Sequence, residues 1–200
     1  MANSISVGGT LETTWSKRDP NDTTTYTFKL WTKLNSQDTS TNTSNITVKL
    51  YLKTNYGNEW AWSGGNWAKF YIYKAANGGS YGDSLGYTAL GEFYGSTSYV
   101  EILSKDFTLT HLEDGTASYS VKGENVRGDY QGYQPYSGSG EITNISLPTI
   151  ARFPKVRVNN GSNWNSMGTV WVYNGTTWLQ AKEVYIYNGS NWVATTDRGS

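Results

Sequence analysis

Apolar and polar residues alternate along much of the chain. In TYTFKLWTKL, residues 25–34, Tyr26, Phe28, Leu30 and Thr32 share one side, and in NITVKLYLKT, residues 45–54, Ile46, Val48, Leu50 and Leu52 do so. Neighbouring side chains on a strand point to opposite faces, so this period of two predicts strands with one buried face. The series continues in AKFYIYKA (68–75), SYVEILSKDFTLTHL (98–112) and TASYSVKG (116–123), with EDGT at 113–116 as a turn and NSQDTSTNTS (35–44) as a polar loop. Short strands between Gly, Ser, Asn and Asp turns predict an all-β chain, an antiparallel β-sandwich or jelly roll.

The pattern changes after ITNISLPTIARFP. Pro148 and Pro154 bracket an extended segment, and beyond them Val156, Val170 and Val184, then Gly161, Gly175 and Gly189, then Trp164, Trp178 and Trp192 recur at a fixed interval of fourteen. A constant phase over three copies is an internal repeat. In each copy a β-branched run leads into Asn-Gly, a pair that tolerates the positive φ of a tight turn, so each copy predicts one β-hairpin. This places a sandwich domain over 1–152 and three hairpin repeats over 153–200. A hairpin alone is marginal in water, so one large ring per copy supplies packing area. Trp164, Trp178 and Trp192 are therefore expected to pack or assemble the repeats, against a neighbouring copy or another chain; a sugar-stacking surface of three like rings is the other reading. Choline-binding repeats are a further comparison, but their units are longer and carry aromatics on both strands.

Composition narrows the chemistry. Lys+Arg and Asp+Glu are both 16, so no net field draws the chain to nucleic acid or to an anionic membrane. Cysteine is absent, which removes disulfides and thiolate sites. The first fifteen residues show no basic stretch followed by an apolar one, and nowhere do eighteen apolar residues run together. A soluble protein made in the cytoplasm, with no membrane insertion, is expected.

Catalytic groups are sparse. The one histidine, His111, has no second His or Cys for a metal site or a nucleophilic relay and reads as a strand-end residue. No catalytic residue, metal or cofactor is expected. The acids Glu59, Asp83, Glu92, Glu101, Asp106, Glu113, Asp114, Glu124, Asp129 and Glu141 are scattered, which leaves a polysaccharide hydrolase as a minor alternative.

Aromatic density is the remaining signal. NEWAWSGGNW (58–67) groups Trp60, Trp62 and Trp67, and GDYQGYQPYSG (128–138) spaces Tyr130, Tyr133 and Tyr136 by three, with Gln131 and Gln134 between them. Rings with amide and carboxylate neighbours suit a saccharide, so these six are the candidate carbohydrate-binding residues. The competing reading sends Trp60 and Trp62, two apart, from one strand face into the core.

Three stretches carry a family resemblance: Asn45 to Lys53 (NITVKLYLK, set beside a family strand S-x-V-x-V-x-L-x-L), Thr110 to Thr116 (T-H-x-x-D-G-T) and Leu147 to Arg152 (L-P-T-I-A-R). In this order, over about residues 40–152, the chain resembles minor structural, tail-associated proteins of long-tailed bacteriophages of Gram-positive hosts. The tail is similar to the short Asn-Gly-x-x-Trp repeats near the ends of phage structural proteins. The resemblance implies a non-enzymatic virion protein, displayed at the particle surface or tail as an accessory, adhesin-like component. Its partners would be other virion proteins, further copies of itself in a homo-oligomer and a host-surface glycan. Many of these phage proteins are much longer, which suggests a small accessory part here. A carbohydrate-binding module acting through the Trp/Tyr loops is the alternative.

Overall fold

The computed structural model describes residues 3–19, 23–57, 60–62, 68–127, 136–150, 156–159, 164–167, 171–181, 185–187 and 189–194. The chain divides into two compact units, Met1–Ile150 and Ala151–Ser200.

The first unit contains β1 (Asn3–Ser4), β2 (Thr10–Arg18), β3 (Thr25–Asp38), β4 (Thr43–Thr54), β5 (Trp60–Trp62), β6 (Ala68–Ala76), β7 (Gly86–Leu90), β8 (Phe93–Tyr94), β9 (Val100–Thr110), β10 (Ser118–Val126) and β11 (Gly138–Ser146). One sheet has the order β2-β3-β4-β9, the other β1-β11-β10-β6-β7, and β5 pairs with β8. Every pairing is antiparallel except β1 with β11.

The alternation read from the sequence closes the core. Tyr26, Phe28, Leu30, Ile46, Val48, Leu50 and Leu52 are fully buried, facing Phe70, Ile72, Tyr119 and Val121 of the second sheet. Phe28 and Phe70 meet across the sheets at 6.1 Å, and Phe107 meets Tyr119 edge-on at 5.8 Å. Thr32 also lies in this core without orphaning its hydroxyl, which bonds the Tyr119 hydroxyl at 3.0 Å. Burial pushes the Tyr119 phenol up to about 12.

One predicted loop is mostly strand. β3 runs on to Asp38 and β4 begins at Thr43, so only four residues of the polar stretch 35–44 form the connection. The polar side chains are satisfied across the hairpin: Asn35 Nδ2 donates to Asn45 Oδ1 (2.8 Å) and to Thr47 Oγ1 (2.7 Å), beside a bulge between Leu34 and Ser36. At the tip the Asp38 carboxylate accepts from the Ser40 amide, the Ser40 hydroxyl and the Thr41 amide.

The second unit is three hairpins. β12 (Val156–Asn159) pairs with β13 (Trp164–Met167), β14 (Trp171–Tyr173) with β15 (Trp178–Gln180), and β16 (Tyr185–Tyr187) with β17 (Trp192–Ala194). The register is the same each time: Asn159 faces Trp164, Tyr173 faces Trp178, and Tyr187 faces Trp192. In the second turn the glycine alone supplies the positive φ, at +96° for Gly175. Asn174 contributes through its side chain, whose Oδ1 accepts from the amides of Thr176 (2.9 Å) and Thr177 (2.8 Å).

Candidate functional site

Two of the stretches that carried the resemblance, at Thr110–Thr116 and from Leu147 to Ile150, meet the start of β4 at one end of the sandwich. His111 follows β9 and is buried; its Nε2 lies 2.7 Å from Ser44 Oγ on β4, and its Nδ1 lies 2.7 Å from the Gly115 carbonyl. The carbonyl can only accept, so Nδ1 carries the proton and Nε2 accepts from the Ser44 hydroxyl. Gln37 Nε2 extends the chain of bonds by donating to Ser44 Oγ (3.2 Å) and to the Pro148 carbonyl (2.8 Å). The Gly115 carbonyl also accepts from the Ile150 amide at 3.0 Å. Gly115 sits at φ +81°, and a Cβ there would lie 2.0 Å from the Ile150 oxygen. The turn is held by Asp114, whose carboxylate takes the Thr116 amide and hydroxyl; these bonds keep its pKa below the usual range.

Serine next to histidine is the geometry of a nucleophile, but both side chains are sealed in. Ser44 is 0% exposed and His111 4%, so no substrate reaches the hydroxyl. The arrangement is a clasp on the segment Leu147 to Ile150, where the first unit ends. A cleft of about 420 Å³ beside it is lined by Asn77, Leu112, Thr116, Ser118, Leu147 and Thr149 among others, with no titratable side chain.

The aromatic candidates lie at the other end of the strands. Trp60 is 53% exposed and meets Tyr94 edge-on at 5.3 Å, also half exposed. The Ala61 carbonyl accepts from the Tyr26 hydroxyl inside the core, which turns Ala61 inward and Trp60 outward, and the pairing with β8 is irregular between Trp60 and Trp62. The reading that sends Trp60 into the core is therefore corrected. Tyr136 is 50% exposed, with the Arg127 guanidinium 5.7 Å from its ring and its carbonyl bonded by Asn125 Nδ2. Because β10 and β6 are antiparallel, with Val126 opposite Lys69, Arg127 and Tyr136 share with the β5 segment the end of the sandwich remote from Gly115 and Ile150. Trp62 is described for its backbone alone; Trp67, Tyr130 and Tyr133 lie outside the described residues.

The tail tryptophans are open. Trp178 is 65% and Trp192 70% exposed, and Trp178 touches the ring of Tyr173 across its own hairpin at 5.3 Å. Trp164 is placed by its backbone pairing alone. Among the described residues, no group of three or more His, Asp or Glu is arranged to hold a metal ion.

The outer face of the β2-β3-β4-β9 sheet, not singled out in the sequence, is a lattice of lysines and rings. Lys29 Nζ lies 4.9 Å from the ring centroid of Tyr51 and 4.5 Å from that of Tyr99, Lys53 lies over Tyr99 at 4.8 Å, and Lys49 pairs with Glu101 at 2.7 Å. The Glu101 bond raises the Lys49 pKa, and burial raises those of Tyr51 and Tyr99. These groups satisfy one another.

The model of a family described as "Siphovirus protein of unknown function (DUF859)" matches residues 16–192. The chain belongs to this siphovirus family. The match runs from β2 to the first residue of β17, so sandwich and repeats are both family features of this siphovirus protein. The phage part of the resemblance stands on that match. A search of curated proteins finds no match to the siphovirus chain.

Proposed function

We propose that this siphovirus protein is a structural component of the phage particle, without a catalytic step of its own, that serves as an accessory host-attachment part at the particle surface or tail. The observation that carries the reading is the polarity of the sandwich. The clasp and the chain's exit at Ile150 occupy one end, and exposed Trp60, Tyr94 and Tyr136 occupy the other. A part fastened by one end and presenting rings at the other is what attachment needs. Three acids of the sheets, Glu12, Glu101 and Glu124, pair with Lys29, Lys49 and Lys122, which favours the non-catalytic reading.

The hairpin unit is the fastening part in this reading. Every side chain of β14 and β15 is exposed. By register Trp171, Tyr173 and Trp178 share one face and Val172 and Leu179 the other. A two-stranded ribbon apolar on both faces is covered in its working state, here by other virion proteins or further copies of the chain. Purified particles probed with antibody to the protein test its place. Labelled particles, together with slower phage adsorption to cells pre-incubated with free protein, are expected; particles without the protein would end the proposal.

A second reading, carbohydrate binding through Trp60, Trp62, Trp67, Tyr130, Tyr133 and Tyr136, is favoured by the open Trp60–Tyr94 pair. Trp60→Ala is expected to weaken binding to host cells by about tenfold, the scale of one stacking contact, and unchanged binding would remove Trp60 from the site.

A further inference from the structure

The outer face of the β1-β11-β10-β6-β7 sheet holds a row of rings that neither reading uses. On β6 the alternation that buries Phe70 and Ile72 turns Tyr71 and Tyr73 outward, and the register sets Tyr71 opposite Tyr87 on the edge strand β7. The Tyr71 ring lies 5.7 Å from that of Tyr87 at an interplanar angle of 26°, and 6.0 Å from that of Tyr73 at 22°. The three rings form a nearly parallel run, and Tyr87 at its margin stays 63% exposed.

Polar groups border the run on its inner side. Glu124 stands opposite Tyr71, and Lys122 opposite Tyr73, with Glu141 of β11 next in the same row. Lys122 Nζ lies 3.7 Å from Glu124 and 5.7 Å from the Tyr73 ring centroid. The connection between β6 and β7 folds back over this face, for Tyr81 faces Glu141, which belongs to a strand two places away from β6. Desolvation, then the charge of Glu141, push the Tyr81 phenol up to about 12. The result is a floor of rings bordered by two carboxylates and an ammonium group, with the Tyr81 hydroxyl itself buried.

We propose that this face binds a glycan built of uncharged pyranose units. The CH faces of a pyranose pack on aromatic rings, while its hydroxyls donate to carboxylates and accept from ammonium and phenol groups, all of which stand here within one row. Charge selects the class of glycan. Lys69 and Lys122 balance Glu124 and Glu141, so the face has no net charge to draw an acidic polymer. The proposal rests on the attachment reading above and gives it a ligand class and a second set of residues.

The test is electrophoresis of the full chain through native gels containing neutral polysaccharides, among them a glucan, a galactan, a mannan and the neutral polysaccharide of the host wall, with polygalacturonate as the acidic comparison. Retardation by a neutral polysaccharide is expected, weakened at least tenfold in Tyr71→Ala and in Tyr87→Ala and kept in Trp60→Ala. Tyr87 is mostly exposed, so Tyr87→Ala should keep the melting temperature of the parent even where Tyr71→Ala lowers it. Retardation unchanged by Tyr87→Ala, retardation by polygalacturonate alone, or none in any neutral gel would overturn the site. Binding of the same proteins to host cells separates the two proposals. Full cell binding by both tyrosine variants would sink this site and leave attachment standing, whereas neutral-glycan binding without cell binding would do the reverse.

Discussion

Trp15 stacks on Phe28 at 5.1 Å and 19°, and its indole N–H bonds Asn125 Oδ1 at 3.0 Å. The ring lies over two glycines of the opposite sheet: a Cβ on Gly140 would stand 2.3 Å from Trp15 Cε3, and one on Gly123 2.9 Å from its Cη2. A methyl at Gly140 forces the indole off its seat, so Gly140→Ala is expected to lower stability by about 1–3 kcal/mol, the range for overpacking a core, in a denaturant titration followed by tryptophan fluorescence. His111→Ala removes the acceptor of the buried Ser44 hydroxyl and one donor to Gly115. A loss of about 1–3 kcal/mol is expected, as for a buried polar group left unsatisfied, and Ser44→Ala, which removes that hydroxyl, should cost less; equal stability of His111→Ala and the parent would show that the clasp carries no load. Asp38 gives a local pH signature. Its Ser40 and Thr41 bonds draw its pKa from the usual 3.8 down to about 2. A depressed carboxylate contributes stability above its unfolded pKa and loses it as pH falls through the folded one. Exchange of the Ser40 amide should therefore accelerate, beyond the intrinsic effect of pH, between about pH 4 and 2, in step with titration of a carboxylate near 2.

At the scale of the element, the hairpin turn makes a cleaner experiment than its tryptophan. Gly175 has open space around its Cβ direction, so Gly175→Ala costs backbone strain alone. Asn174→Ala instead loses two acceptor contacts, and both should loosen the second hairpin by about 1 kcal/mol, read as faster exchange of the Thr177 amide. The elements differ in how far the sequence announces them. β3, β4, β6 and β10 were legible because strict alternation has one interpretation when one face is buried. Residues 35–44 misled because polarity marks exposure only where side chains face water, and here Asn35 and Gln37 find partners on the facing strand and beyond it. Trp60 misled for a different reason: the direction of Ala61 is fixed by Tyr26, thirty-five residues earlier, through a bond no local pattern reveals. The tyrosine row was not singled out in the sequence, because Tyr87 comes alongside Tyr71 only through the β6–β7 register. The seat of Trp15 depends on two strands absent from its own neighbourhood in sequence.

Over the whole molecule the two units present opposite surfaces. The sandwich closes a core and leaves a few rings outside it, Trp60, Tyr87, Tyr94 and Tyr136, while the described hairpin strands bury none of Trp171, Val172, Tyr173, Trp178, Leu179 and Trp192, each at least half exposed. The expected outcome is self-association of the full chain, measured by light scattering, which falls towards the monomer mass in Trp178→Ser with Trp192→Ser; a monomeric parent would assign the ribbon to another virion protein. The clasp also has a mechanical side. The Ile150 amide is the last described bond before the chain passes into the repeats, and behind it the Leu147 amide holds the Ala117 carbonyl at 3.0 Å and β11 lies between β10 and β1. A tug along β11 from residue 151 would be resisted in shear by many ladder bonds at once, whereas a sideways tug would peel them one by one. The lock at Gly115 and Ile150 keeps the lever arm of that sideways tug short, as a rivet does at the end of a strap.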